Sequence, residues 1–362
     1  MPTSSDALAI VRRRACAQRL TGEPFATPVE AVARSGAVQA QEHAEALWSL
    51  GMRVREGTAA GVQAACDRGD IVRTHVMRPT WHFVAAADLR WLLRLTAGRV
   101  RAREAGRLRE LGLDAGTLSR ADETLARTVA DGEPRTRAEL ARALAAAGID
   151  PAGQRIAHIV MNAELGAVIC SGPRRGSQHT YVGLDRSGRV PDAPARSREA
   201  DVAELAERYF TSHGPATLRD FAWWSGLTVA DGRAGVEATG ERLVSETADD
   251  GTRWITAAGG AAAPRSGDAL LLGTYDELLV AYRDLRSVGV DGRPSTKLSR
   301  RPVVIDGRTV GAWTRRSTPR TVTLEVALHR PPSRAQRAAL DAAAERFGAF
   351  AGLPVTVSLL AP

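Results

Sequence analysis

The chain contains one lysine, Lys297, among 49 basic residues, so the other 48 are arginine. That scarcity restricts amine chemistry: a Schiff base on a sugar aldehyde needs a primary amine, and only Lys297 or the N-terminus offers one. A lyase mechanism is therefore disfavoured. Cysteine is scarce too, and Cys16, Cys66 and Cys170 show no CxxC or metal-ligand spacing. An odd count in that arrangement argues against a disulfide framework and a structural zinc, and predicts buried small hydrophobes in a reducing cytoplasm. No apolar run approaches the ~18 residues of a membrane span. Met1-Pro2-Thr3-Ser4-Ser5-Asp6 lacks a basic segment leading into an apolar one, so no targeting segment or membrane partner is expected. HExxH, Walker, GxSxG and dinucleotide-fingerprint motifs are also missing, and no metal or cofactor is expected.

What remains is ordinary globular material. The 362 residues are 44% hydrophobic and 25% charged, with a mean hydropathy of -0.19, and the length predicts two or three folded units. The net charge of +8 points towards a polyanionic partner. An arginine-rich, lysine-poor chain is also what a GC-rich genome writes, so distribution says more than the total. Residues 1–120 carry +6, 121–200 carry +1, 201–300 carry -4 and 301–362 carry +5. Two basic ends facing one groove would attract phosphate, whereas dispersed arginines would only solubilise the surface.

An internal repeat sets the organisation. Pro134-x-Thr136-x-x-Glu139-Leu140-Ala141 matches Pro215-x-Thr217-x-x-Asp220-Phe221-Ala222 at a spacing of 81. In each copy a threonine followed three residues later by an acid is a helix start: the hydroxyl caps free N–H groups and the acid favours the positive helix end. Helices are predicted before each copy, at Ala121–Ala130 and Asp201–Phe210, and after each, near Arg155–Glu164 and Arg233–Glu241. Hairpins follow, at Ala167–Cys170 with His179–Val182 and at Arg242–Ser245 with Arg253–Thr256. Three helices and a hairpin make a winged helix-turn-helix unit.

The N-terminal part reads similarly, with helices over Val29–Leu50 and Thr58–Asp67 and a hairpin of Asp70–Val76 and Thr80–Val84 around Met77-Arg78-Pro79. Beyond Asp268, strand-like runs at Pro302–Asp306 and Thr321–Leu328 and a helix over Ser333–Phe347 suggest an α+β cap. The expected fold is mainly α with small hairpins: winged units at 1–115, 116–195 and 196–265, then an α+β segment at 266–362. Gly183–Arg198 is the expected linker. Tandem winged helices most often bind duplex nucleic acid. Arg174 and Arg175 at one wing tip fit that role, while Asp249 and Asp250 at another do not.

One segment stands out chemically. Val38-Gln39-Ala40-Gln41-Glu42 holds two of only seven glutamines, at what reads as an apolar helix start. The bare pattern also fits two solvated amides on a helix surface.

Taken in order, Gly36–Glu42, Arg73-x-x-Val76-Met77-Arg78-Pro79-Thr80-Trp81-His82-Phe83-Val84, Gly214–Leu227, Tyr275-Asp276-Glu277 and Val304–Arg308 resemble the AlkZ-type family of winged-helix DNA glycosylases, which includes YcaQ-like proteins. The likeness spans nearly the whole chain. It implies three tandem winged helices, C-shaped around a basic cleft, and a monofunctional enzyme that excises N7-alkylated guanine, including interstrand crosslinks. AlkZ-type members carry two glutamines around an apolar residue, a pattern associated with self-resistance to azinomycin-type toxins. YcaQ-like members carry aspartate at the second position, so Gln41 places this chain with the former.

On that reading Gln39 and Gln41 jointly orient a water and face the developing sugar cation. Glu42 and His43 are titratable alternatives that read as surface. A crosslinked base cannot swing into a closed pocket, so an open cleft is implied. Its DNA-contacting candidates are Arg78 and His82, then Arg174 and Arg175, then Arg308, Arg315, Arg316 and Arg320, each of which also fits a local ion pair. Trp81, Trp223 and Trp224 read as core, with base stacking the alternative, and Tyr275-Asp276-Glu277 reads as a structural turn. The expected partner is double-stranded DNA carrying alkylated guanine, bound by a monomer in the cytoplasm at the nucleoid. The competing readings are a non-catalytic DNA-binding regulator or damage sensor, and a toxin-sequestering protein.

Overall fold

The structure, a computed structural model, describes residues 4–185, 188–192, 196–260, 267–283 and 301–360. Lys297 lies outside the described residues, as do residues 186–187 and 193–195 of the expected linker. After a first helix α1 (Ser4–Ala17), one element order recurs: helix, strand, helix, helix, strand, strand. It first runs through α2 (Pro28–Ser35), β1 (Val38–Gln39), α3 (His43–Gly51), α4 (Ala59–Arg68), β2 (Ile71–Val76) and β3 (Arg78–Ala85). The strands form an antiparallel sheet in the order β1-β3-β2.

A long helix, α5 (Ala86–Glu110), leads to the second copy: α6 (Ala115–Thr128), β4 (Arg135–Thr136), α7 (Arg137–Ala146), α8 (Arg155–Leu165), β5 (Ile169–Ser171) and β6 (Thr180–Gly183). Its sheet order, β4-β6-β5, repeats the first. The third copy has α9 (Arg198–His213), α10 (Leu218–Ser225), α11 (Val229–Thr239), β7 (Leu243–Thr247) and β8 (Arg253–Ala257). Its leading strand is reduced to a bridge between Ala216 and Ile255.

The repeated Pro-x-Thr segments form as their residues require. Thr136 accepts from the Glu139 N–H while the Glu139 side chain accepts from the Thr136 N–H, and Thr217 and Asp220 do the same. The sequence predicts a single helix over 29–50; the structure divides it. Gly36, at φ 78°, ends α2, and β-branched Val38 then pairs with Phe83 on β3. The chain turns helical again only after Glu42, which caps α3 in an extended conformation.

The remaining elements are β9 (Ala269–Leu271), α12 (Glu277–Val280), β10 (Arg301–Ile305), β11 (Arg308–Ser317), β12 (Val322–Leu328), α13 (Arg334–Ala351) and β13 (Val355–Leu360). Their sheet runs β13-β12-β11-β10-β9, and only the β12–β13 pair is parallel. Helix α13 joins this sheet to the first repeat: the Phe347 ring lies 4.9 Å from Trp48 of α3 and 5.4 Å from Trp313 of β11. Val38, Ala40 and Phe83 share that core. Ala37, Val72 and Val84 belong to a different core, with α5, α9 and α10. The small β1–β3–β2 sheet therefore separates two cores, and residues alternate between them. Cys170 is buried as expected, but Cys16 and Cys66 are half-buried, and all three thiols are free. Among the described residues no helix is long and apolar enough to cross a membrane.

Candidate active site

The break in the predicted helix places Gln39 on a short strand and Gln41 in the bend just beyond it. On a helix, residues two apart point to opposite sides; on a strand they share a face. Val38 and Ala40 sit in the core beneath α13, so strand alternation turns Gln39 the other way, while Gln41 follows in a bend beyond β1. Gln39 pairs with His82 across the ladder, and the Ala40 N–H continues it by donating to Trp81 O at 2.7 Å.

Gln39 is buried and held at both ends. Its peptide N–H donates to Glu277 Oε1 at 2.7 Å, and its side-chain Oε1 accepts from Arg78 Nη2 at 3.0 Å. The same Arg78 nitrogen lies 3.5 Å from His82 Nε2, while His82 Nδ1 is 2.9 Å from Thr80 O. Only the Nδ1–H tautomer satisfies both contacts, with Nε2 accepting from the guanidinium. Burial, and then Arg78, push the His82 imidazolium well below its ordinary range, so the ring is neutral. Burial also lowers Arg78, against the opposing attraction of Glu277.

Glu277 is 1% exposed. Its Oε2 accepts from Trp224 Nε1 at 3.0 Å and lies 3.5 Å from His213 Nε2. The turn carrying it is rigid because the buried carboxylate of Asp276 caps α12 and accepts from both terminal nitrogens of Arg53, each at 2.8 Å. Tyr275-Asp276-Glu277 is thus a turn, as predicted, and also one wall of the glutamine site.

Gln41 is half-buried and more loosely held. Its side-chain Oε1 is 3.4 Å from the Trp81 N–H, and Arg73 steadies its backbone by donating from Nε to Ala40 O at 2.9 Å and from Nη2 to Gln41 O at 3.4 Å. The Arg73 guanidinium stacks 4.3 Å above Trp81, and burial pushes its pKa down to about 10. Of the titratable neighbours, Glu42 is exposed. His43 is half-buried, with Nε2 2.8 Å from Gln63 Oε1, and burial pushes it down to about 4. Among the described residues no group of His, Cys, Asp or Glu gathers to hold a metal ion.

The family model for DNA glycosylase AlkZ-like proteins matches residues 32–350. The chain belongs to the AlkZ-like DNA glycosylase family. Its fold is similar to that of Streptomyces sahachiroi DNA glycosylase AlkZ, with a TM-score of 0.72 and 21% identity over 99% of this chain and 100% of that one. No curated protein matches the sequence.

The other expected contact residues of this AlkZ-like chain lie on separate elements. Arg174 donates its backbone N–H to Asp67 at 3.0 Å and its guanidinium to Ser177 O, and it is close enough to help depress His43. Arg175 pairs with Glu139 at 3.0 Å. On the C-terminal sheet, Arg308 begins β11 opposite Ile305. Arg315 and Arg301 both pair with buried Glu45, at 3.1 and 2.9 Å, while Arg316 pairs with Glu325 at 3.1 Å. Arg320 is exposed in the turn before β12. Gln39, Arg78 and His82 are therefore joined in one contact chain, while Arg315 and Arg316 are held by Glu45 and Glu325.

The tryptophans divide. Trp224 is core, Trp81 is half-buried and Trp223 is 51% exposed. Sequence reasoning placed Arg73 and Glu277 within the family motifs but assigned neither to the site. The available signal for Glu277 was two adjacent acids, Asp276 and Glu277, running directly into apolar Leu278-Leu279-Val280.

Proposed function

We propose that this AlkZ-like glycosylase hydrolyses the N-glycosidic bond of N7-alkylguanine, including bulky and interstrand-crosslinked adducts of the azinomycin type, in DNA repair and self-resistance. The observation that carries this reading is the pair of amides at β1 and the bend that follows it, one of them bonded to the half-buried Arg78. N7-alkylguanine is cationic and already a good leaving group. The C1′–N9 bond breaks with its electron pair entering the purine, which departs neutral. A water oxygen bonds to C1′, and its proton passes to solvent. Such a reaction asks the protein for a placed water and for dipoles near the sugar cation, which amides supply without a useful pKa.

The element order, complete in two units and with its leading strand reduced to a bridge in the third, supports tandem winged-helix units, and the basic ends of the chain support a phosphate-binding cleft between them. The placing of Gln39 by hydrogen bonds to Glu277 and Arg78 supports hydrolysis by a positioned water rather than an amine nucleophile.

Crosslink unhooking on denaturing gels tests the substrate class. Duplexes carrying a guanine N7 crosslink should separate into full-length strands, one with an abasic site and the other carrying the excised guanine on the crosslink until its own bond is cut, and abasic strands should break only after alkali. Crosslinks that persist beside efficient release of small N7 adducts would limit the enzyme to monoadducts. Strand breakage without alkali would refute the absence of lyase chemistry.

A further inference from the structure

The two glutamines are held so differently that they offer opposite chemistry. The Gln39 carbonyl accepts a charge-assisted bond from Arg78 at 3.0 Å, and the same Arg78 nitrogen lies 3.5 Å from His82 Nε2. With its carbonyl drawn to the guanidinium, Gln39 is a weaker acceptor for water, and its amide N–H pair is what it most readily offers. Gln41 is the reverse. Its carbonyl meets only the Trp81 N–H, at 3.4 Å, near the limit of a hydrogen bond, and so keeps its acceptor capacity.

Glu277 enforces the difference. It accepts on both oxygens at once, from the Gln39 peptide and from the Trp224 indole, and it sits on a turn pinned by Arg53 and Asp276. The strand that carries Gln39 and leads into Gln41 is thereby tied to a buried carboxylate held on both oxygens.

Resting on the glycosylase reading above, we propose that Gln41 accepts from the attacking water, that Gln39 donates to the nucleotide, and that Glu277 is the positioning residue that keeps them in those roles. Bond making and breaking are those of the hydrolysis already described, with the water proton held by the Gln41 carbonyl before it reaches solvent.

The test measures kcat and KM for base release from an N7-methylguanine duplex by Gln39→Glu, Gln41→Glu, Glu277→Gln and Glu277→Gln/Trp224→Phe. Gln39→Glu keeps an acceptor for Arg78 but loses the donor, and should lose about 100-fold in kcat with little change in KM. Gln41→Glu keeps an acceptor, so kcat should fall no more than about 10-fold, with a new acid limb in its pH profile as the carboxylate titrates. A glutamine at 277 has one carbonyl for two donors; its kcat should fall about 10-fold and recover when Trp224→Phe removes the second donor.

A dead Gln41→Glu beside an active Gln39→Glu overturns the division of roles. Unchanged kcat in Glu277→Gln, or no recovery in a double variant with a parental melting temperature, overturns the role of Glu277. If Glu277→Gln does not fold, the paired glutamine variants still decide. Absence of release by the unaltered protein overturns the glycosylase reading itself, which separates the two failures.

Discussion

Gln39 in β1 and Glu277 at the start of α12 are joined by a 2.7 Å hydrogen bond across 238 residues of chain. The bond makes the geometry of the candidate site depend on the C-terminal segment. It also helps explain why a stretch that reads as helix is a strand: the Gln39 peptide N–H, which a helix would use internally, is taken by a buried carboxylate.

The pin behind Glu277 should be costly to remove. Arg53 and Asp276 are each 1% exposed and share a bidentate ion pair. Arg53→Ala would strand the carboxylate and is expected to destabilise the fold by about 3 kcal/mol or more, read from urea denaturation. An unchanged midpoint would contradict this account of the turn.

Acid should weaken the fold before it protonates most carboxylates. Burial lowers His43 to about 4 and His179 to about 3, and burial followed by Arg78 takes His82 well down. Unfolded histidines take up protons near the ordinary value of about 6.5. The stabilisation from these neutral rings is therefore complete above that pH and is lost as pH falls towards about 4. Denaturation midpoints should drop between pH 7.5 and 5, and a His43→Gln/His179→Gln variant should show a shallower drop. Equal slopes would count against these rings as the cause.

Salt dependence should sort the arginines. Arg320 is exposed and its side chain makes no described contact, whereas Arg175 already holds Glu139. If both face duplex DNA, Arg320→Ala should reduce the slope of log affinity against log salt by about 0.9, one phosphate contact. Arg175→Ala should reduce it less, because that arginine exchanges one anion for another. Fluorescence anisotropy titrations at several salt concentrations would show it, and equal slopes for both variants and the parent would remove these residues from the interface.

A glycine far from the glutamines in sequence sets the turn before Arg78. Gly226 has φ 72°, and a Cβ there would fall 2.3 Å from Met77 O. Met77 itself has φ 63° and directly precedes Arg78. Gly226→Ala should therefore cost on the order of 1–3 kcal/mol and also slow base release by shifting Arg78. Parental stability together with parental activity would show that the turn yields easily.

The parts of the fold legible in the sequence are those whose causes are local. The Thr136–Glu139 and Thr217–Asp220 capping boxes close within four residues, and the hairpin around Met77-Arg78-Pro79 follows from strand-forming runs on either side of a turn. The division of Val29–Leu50 was not legible. Gly36 is its one local sign, and the partners that stabilise the strand, His82 and Glu277, are distant in sequence. Arg308, Arg315 and Arg316 could be placed in C-terminal strands, but the bounds of β11 were not legible, because Arg315 and Arg316 break its apolar alternation and their partners Glu45 and Glu325 lie elsewhere in the chain.

At the candidate site, the glutamine pair and the Arg78 and His82 neighbours could be picked out through the family resemblance. Glu277 lay in one of the same motifs, but Tyr275-Asp276-Glu277 reads only as a structural turn until the Gln39 peptide and the Trp224 indole are seen against it.

The most direct measurement is chromatographic detection of free 7-methylguanine released from a methylated duplex. The account predicts release by the unaltered protein, with matching alkali-labile sites, and none above background from a folded Gln39→Ala/Gln41→Ala variant. Release by that double variant at the parental rate, or no release by the parent, would contradict it.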